Sequence, residues 1–427
     1  MSLGILPSLM IVLSSLIALG CLVGAFRFLR HKRLIDDTPT SKTHGIFIGL
    51  VELKGTAECE TPLTSYLAGR RCVQYKWQVE EHWSRTVHYI DAKGRPQTRH
   101  ESGWTTVASD NQSVPFYLKD DTGVIRILPE GATINGITTF DETVKRDNAL
   151  YYGKGPARAV PNSDHRRRFR ETAIPLHAQL YVMGQARERQ DIVAAEIADD
   201  KDAPVFLIST RTEKQVSAGY GRWSWFWLVL GFVVAIGGAG ALSLIVGLGL
   251  QWQPLVLAAL IFLMAFGLGW VWMVYNSLVN LHHQVERAWS QVDVQLKRRS
   301  DLIPRLVETV EGYRTHESEV QKLLTELRGQ QAGTDLKGFT PLLRATAERY
   351  PELKASESFL RLQQALAETE QRIALARDYF NNVATFHNTR LDVIPDRFVA
   401  AMVGLRQQSL LSAADFERAP VQVELAD

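Results

Sequence analysis

The sequence predicts a multidomain membrane protein. It comprises three transmembrane helices, a β-rich domain folded as a small barrel or sandwich, and an antiparallel α-helical bundle. Three observations carry this. Sixty-three consecutive residues, Trp223 to Val285, contain no Asp, Glu, Lys or Arg in a chain that is 22% charged. The stretch before them alternates apolar and polar positions in short runs between turn residues, as strands do. The stretch after them spaces apolar residues three and four apart, as helices do.

A bilayer core takes roughly 20 apolar residues per helical crossing. The uncharged run therefore predicts crossings at 225–249 and 255–275, with Gln251, Trp252, Gln253 and Pro254 as the turn and a further helical stretch beyond. A third apolar segment, 3–26, is followed at once by Arg27, Arg30, His31, Lys32 and Arg33. A cleavable signal peptide carries its positive charge before the apolar run, so this segment reads as an uncleaved anchor with its N-terminus outside. Arg211, Lys214 and Arg222 precede the second span, and Arg287, Lys297, Arg298 and Arg299 follow the third. The positive-inside rule then places both large soluble regions in the cytoplasm. Ala235 with Ala239, Gly237 with Ala241, and Gly267 with Gly269 offer small-residue surfaces for close helix packing. Cys21 falls in the first span, and Cys59 and Cys72 read as reduced thiols in that compartment. The net charge of +2 is too small to imply a nucleic-acid partner, and none is expected.

Between the first two spans, over 45–210, six segments read as strand material: GIFIGLVELKG, RCVQYKWQVEE, GWTTVAS, SVPFYLKDDTGVIRILP, AQLYVMGQARE and PVFLIST. Asp121-Thr122-Gly123 and Pro129-Glu130-Gly131 are turn signals. Six to eight strands are expected. Tyr152 to Arg170, with two Gly, two Pro and a basic cluster, reads as a loop, and Arg166, Arg167, Arg168 and Arg170 as its solvated charges or as contacts for anionic lipid headgroups. His44, His82, His88, His100 and His165 lack metal-ligand spacing and read as surface or loop histidines.

GLVELKG, TPLTSYLAGRRCVQYKW, SVPFYLKDDTGVIRI and ETAIPLHAQLYVMGQARE resemble the GIDE domain of membrane-anchored proteins that include mitochondrial ubiquitin ligases. Those ligases act through a separate RING module with two zinc sites of four Cys or His ligands each. The two soluble cysteines here, thirteen residues apart, cannot furnish one.

From 276 to 427 the period is helical. Leu278, Leu281, Val285, Ala288, Val292, Leu302, Leu306, Tyr313, Val320, Leu323 and Leu327 form one stripe, interrupted by Gln295 and Arg299. A polar layer of that kind sets register at a cost in stability. Pro304 predicts a kink. A short helix is expected at 341–349, entered from the loop 329–338, and a long one at 357–390 with Phe359, Leu362, Leu366, Ile373, Phe380 and Val383 on one side. A last one, near 396–411, is apolar through Phe398, Val399, Met402 and Leu405. Single-stripe helices bury their stripes against one another, which predicts the bundle.

YNSLVNL, AWSQVDVQLKRRSDLIPRLVETVEGY followed by His316-Glu317, RYPELKASESFLRLQQALAETEQRIALARDYFNN and the closing DFERAPVQVELAD resemble the LemA family over about 275–427. Arg305 stands where the family commonly has Asn, and VIPD at 393–396 replaces its Phe-Pro. The resemblance implies a membrane-anchored bundle of long antiparallel helices in a bacterial inner membrane. Relatives of that family are associated with envelope stress and with membrane organisation, and the long helices are expected to associate with copies of themselves or with other envelope proteins.

Asp293, Arg298, Arg299, Asp301 and Glu308 on the first long helix, and Glu370, Arg377, Asp378, Asn381 and Asn388 on the second, can meet at one level if the helices are antiparallel. Asp293, Arg298, Arg299, Asp301, Glu308, Arg377 and Asn381 are the candidate polar interaction layer. Two readings stand for this level: a polar pocket or, through Asp293, Asp301, Glu308 and His316, a carboxylate metal site; and ion pairing along a bundle. Di-metal bundles place a Glu-x-x-His pair on each of two helices, and neither helix has one. No phosphate loop, Rossmann glycine pattern, nucleophile elbow or HExxH occurs, and no catalytic residue, cofactor or metal site is assigned. The expected role is a membrane scaffold or adaptor. The competing classes are a membrane-anchored enzyme, ligase-like or a metal hydrolase, and a membrane-remodelling factor.

Overall fold

A computed structural model describes residues 5–46, 48–90, 94–189, 195–201, 203–247, 249, 251–311 and 357–411. It divides into two units, Thr40–Gln215, and Met1–Pro39 together with Val216–Asp427.

The first of these units is β-rich. Its strands are β1 (Gly49–Glu58), β2 (Leu63–Thr64), β3 (Arg71–Ile90), β4 (Pro96–Ser113), β5 (Phe116–Lys119), β6 (Val124–Ile127), β7 (Thr133–Asn135), β8 (Ile137–Lys145), β9 (Ser163–Pro175), β10 (Gln179–Glu188), β11 (Ala195–Ala198) and β12 (Leu207–Ser209). β1 pairs with β5, β5 with β6, β6 with β11, β11 with β10, and β10 returns to β1, which closes a small five-stranded ring. Its interior is apolar, with Leu53, Phe116, Leu118, Ile127, Val182 and Ile197 buried together. Gly55 is needed here, because a Cβ would lie 2.4 Å from the Lys119 carbonyl oxygen of β5.

The second sheet runs β2-β3-β9-β8, with β4 also on β3. β3 and β4 pair as far as Ile90 with Pro96, whereas β9 leaves β3 at Trp83. The far half of the hairpin is thus a two-stranded ribbon with exposed Tyr89 and Ile90. The expected loop at 152–170 is not a single loop. Ser163 onwards is strand β9, preceded by the short helix α2 (Ala149–Gly153). β9 does alternate, but its inward positions are Arg167, Phe169, Glu171 and Ala173, so charged residues carry half of a period that apolar ones were expected to mark.

The other unit is helical: α1 (Ile5–Asp36), α3 (Glu213–Ile245), α4 (Trp252–Glu311), α5 (Glu357–Asp392) and α6 (Asp396–Val403). Three of these, α1, α3 and α4, are long and apolar enough to cross a membrane. The reversal between α3 and α4 differs from expectation. Gly247 and Gly249, at φ of 77° and 69°, make it, and Pro254 sits in the first turn of α4, where its missing N–H breaks no helical bond. The small-residue contacts also differ. Gly237 and Gly267 have nothing nearby, while Gly231 meets Cys21 and Phe262, and Gly269 meets Phe26.

α4 is continuous for 60 residues and passes Pro304 without a break. α5 lies antiparallel to it, since Leu278 is near Leu391, His282 near His387, Trp289 near Phe380 and Arg299 near Glu370. The buried stripe of α4 runs through Leu278, Leu281, Val285, Ala288, Val292 and Gln295, and that of α5 through Leu366, Thr369, Ile373, Ala376, Phe380, Val383 and His387. Both advance by alternating threes and fours, the knobs-into-holes spacing. Tyr313, Val320, Leu323, Leu327 and the helix expected at 341–349 lie outside the described residues.

Candidate functional site

Among the described residues the expected polar layer comes together only in part. Arg299 approaches Glu370 across the seam at 3.9 Å. Asp293, Arg298 and Asp301 are exposed, because they fall outside the Val292–Gln295–Arg299 stripe. Arg377 pairs with its own neighbour Asp378 at 3.6 Å. The side chains of Glu308 and His316 lie outside the described residues. Inside the seam, Gln291, Gln295 and Glu370 each bury an oxygen without a hydrogen-bond partner, as His282 and His387 each do a nitrogen. Burial pushes the Glu370 carboxyl up, and Arg299 only partly offsets it.

Asn381 and Asn388 do something else. The Asn381 side chain donates to the Leu411 carbonyl (2.9 Å) and accepts from the Leu411 N–H (2.8 Å). Asn388 does the same with Gln408, at 2.8 Å in both directions. Seven residues of helix rise about 10.5 Å, a length that three residues of near-extended chain also span. The two amides therefore hold the segment after Gly404 along α5, one pair of main-chain bonds at each.

Sequence spacing gave no sign of a charge cluster among the described residues of the helical unit, which joins residues more than 350 positions apart. Arg390 of α5 donates from Nε (2.9 Å) and Nη2 (2.5 Å) to Asp37 Oδ1, and from Nη1 to Asp396 Oδ2 at 3.3 Å. Arg33 of α1 reaches Asp396 through both terminal nitrogens, at 3.2 and 3.3 Å. Ser277 of α4 donates to Asp37 at 2.8 Å, and Ser217 of α3 to Asp36 at 2.6 Å. Burial opposes the Arg390 charge, but Asp37 and then Asp396 outweigh it and hold the guanidinium above its ordinary value. Arg33, expected to act as a topology signal, is thus also a structural partner. The cluster fastens the end of α1 to α4, α5 and the start of α6.

The β-rich unit contains a second buried constellation. Arg167 and Glu81 are both 0% exposed. Arg167 donates from Nε (3.2 Å) and Nη2 (3.0 Å) to Glu81 Oε2, and to the carbonyls of Tyr151, Pro156 and Arg158 at 2.7, 2.8 and 3.1 Å. Its guanidinium lies 3.9 Å above the Tyr151 ring, a cation–π contact. Glu81 Oε1 accepts from the Tyr151 and Ser163 hydroxyls at 2.7 and 2.6 Å. Burial would raise the Glu81 carboxyl, but the bonds from Ser163, Tyr151 and Arg167 prevail and hold it low. His165, at φ of 58°, stands 3.3 Å from the Tyr151 hydroxyl, and His82 bonds Asp164 at 2.6 Å. The arginine cluster is therefore not a solvated loop, and these two histidines are strand residues. With every partner matched, the constellation is architectural: it pins the segment from α2 to β9. Among the described residues no group of three His, Cys, Asp or Glu is placed to hold a metal ion.

Comparison with known proteins finds two family matches, of which the first along the chain runs from within β3 into α3. Residues 288–425 match the model of the LemA family, and residues 84–243 match the GIDE family, described as E3 Ubiquitin ligase. Protein LemA of Metamycoplasma hominis is 24% identical over 158 residues, which cover 34% of this chain and 72% of that protein. The chain carries a GIDE domain followed by a carboxy-terminal LemA domain, with apolar helices typical of a membrane-associated protein.

Proposed function

We propose that this protein is an integral scaffold or adaptor of a bacterial inner membrane, working through association of its LemA helices and its GIDE domain with further copies or with other envelope proteins. In this reading α1, α3 and α4 cross the bilayer, the long helices form a bundle, and both domains face the cytoplasm. The observation that carries it is the Arg33–Asp396–Arg390–Asp37 cluster. It makes the anchor and the helical pair one mechanical piece, so assembly of the pair is felt at the anchor. The uninterrupted α4 does the same along a second path.

Mass measurement of the full chain in nanodiscs, with crosslinking in native membranes, tests this. More than one copy per particle, or defined envelope neighbours, is expected. Single copies with no crosslinked neighbour would overturn the reading. Orientation is tested with an impermeant thiol reagent. Cys59 is partly exposed, whereas Cys72 is buried and its thiol is pushed up to about 11, so Cys59 is the reporter. It should stay unlabelled in intact cells and react once they are permeabilised; labelling of intact cells would reverse the orientation.

The description of the GIDE family supports one second reading, ligase-like chemistry. Stoichiometric zinc in the purified chain would favour it over the adaptor.

A further inference from the structure

Helix α6 has one face buried and one bare. Val399 and Ala400 pack with Val274, Leu278 and Leu391, beside Trp270 and Leu405. Phe398 and Met402 stand four apart, hence on one side of the helix, and are 63% and 82% exposed; Ile394, in the turn before the helix, is 67% exposed. The expectation that Phe398 and Met402 help fill the bundle core is therefore wrong: the apolar residues of α6 divide between two opposite faces. A contiguous apolar stripe in the open marks a surface that something covers.

Its position identifies the cover. α6 packs on α4 between Trp270 and Leu278, where the third apolar run ends. Neighbouring helices mark the same level. Arg33 of α1 lies 5.9 Å from the Trp270 ring centre and bonds Asp396, the first residue of α6. Five residues earlier on α1, Phe28 packs on Tyr220 and Trp223 of α3. Together with Trp272 and Tyr275 of α4, these aromatic residues collect at one end of the three apolar helices, as Trp and Tyr do at a membrane–water boundary. One or two turns further into the apolar stretch of α4, Met264 and Leu268 are exposed without a polar residue near them in sequence.

We propose that α6 is an interfacial amphipathic helix, with Phe398 and Met402 inserted at the headgroup–acyl boundary of the bilayer that α1, α3 and α4 cross. This rests on the membrane-crossing reading above and extends it to a helix too short to span. Such helices bury their apolar face about 5–10 Å below the headgroups. Arg397, exposed next to Phe398, stays on the water side. The helical pair is thereby seated on the membrane at its base as well as through α4.

Spin labels on the full chain in nanodiscs of anionic phospholipid test the proposal, on a background in which Cys21, Cys59 and Cys72 are replaced. The labelling sites are Met402→Cys, Phe398→Cys, Arg397→Cys and Met264→Cys, and the readouts are collision with oxygen, which enters lipid, and with a water-soluble nickel chelate. The Met402 and Phe398 labels should meet nickel roughly tenfold less than the Arg397 label and meet oxygen readily, as a shallow membrane site does. If Met264 behaves as lipid-buried while both stripe labels are as open to nickel as Arg397, the α6 proposal fails and the spanning reading stands. A Met264 label open to nickel overturns both. Stripe labels shielded from both reagents would mean that protein, such as a second copy, covers the face, which also overturns the proposal. Two labelled stripe positions keep the test decisive if one substitution impairs folding.

Discussion

In the β-rich unit, Arg167 is wholly buried and makes five donated hydrogen bonds, matching its five N–H groups, while both Glu81 oxygens accept. In the α4–α5 seam, Gln291, Gln295 and Glu370 bury oxygens that accept nothing. Both regions place polar groups inside, and they do so to opposite effect. A satisfied network defines one geometry, and each of its members reinforces the others. An unsatisfied seam forgoes stability at every orphaned atom, so it is the place where re-pairing with another helix costs least. The proposed association of the helical pair would draw on this contrast.

The largest test of that contrast is Arg167→Leu. It leaves the Glu81 carboxylate buried with no cationic partner and releases the carbonyls of Tyr151, Pro156 and Arg158, so the β-rich unit should lose about 3–5 kcal/mol. Denaturant unfolding of the full chain measures this, and a loss below about 1 kcal/mol would erase the difference between the regions.

A smaller effect of opposite sign is expected for Gln295→Leu. The variant replaces a side chain whose buried amide oxygen lacks a partner by an apolar one of similar size in line with Val292, and the seam should gain about 1 kcal/mol. Thermal unfolding followed by far-UV circular dichroism reads it; a loss of stability would show that Gln295 has a partner in the working protein.

The smallest is a difference in pH response. Burial pushes the His387 imidazole down, against a weak bond with Asn388, and the facing His282 pushes it the same way. Glu286, 3.7 Å from His282, is the acidic group closest to the pair. The unfolded chain then takes up the proton more readily than the folded one. Stability of the seam is full above the ordinary value of 6.5 and is lost as the pH falls below it towards the folded value. Glu81 has the opposite charge type and a lowered value, so its contribution is full above 4.5 and is lost only in stronger acid. Hydrogen exchange should therefore loosen around Phe380–His387 in mild acid while β3 and β9 stay protected, and His387→Phe should abolish that loosening. Equal loosening of both units would remove the pH contrast.

Much of this architecture was legible in the sequence because it is written in local periodicity. The three apolar helices, the α4 stripe down to its polar interruption at Gln295 and Arg299, and most of the strands of the closed ring follow from spacing of threes and fours or of twos. β9 escaped because Arg167 and Glu171 occupy positions that an apolar alternation would reserve for aliphatic residues. The described part of the expected polar layer is scattered because residues close in sequence, such as Arg298 and Arg299, point to different sides of α4, and one pointing inward need not meet a charge.

From the sequence alone came the long helices, about half of the strands, their periods and the GIDE and LemA resemblances, because backbone geometry imposes those patterns on neighbouring residues. Only the tertiary structure decided which charges are buried and with whom. Arg390 finds Asp37 across the length of the chain, and Arg167 finds Glu81 across a sheet. Tertiary structure also set which apolar face of α6 was left bare. Such partnerships depend on elements brought together from afar, and no local pattern encodes them.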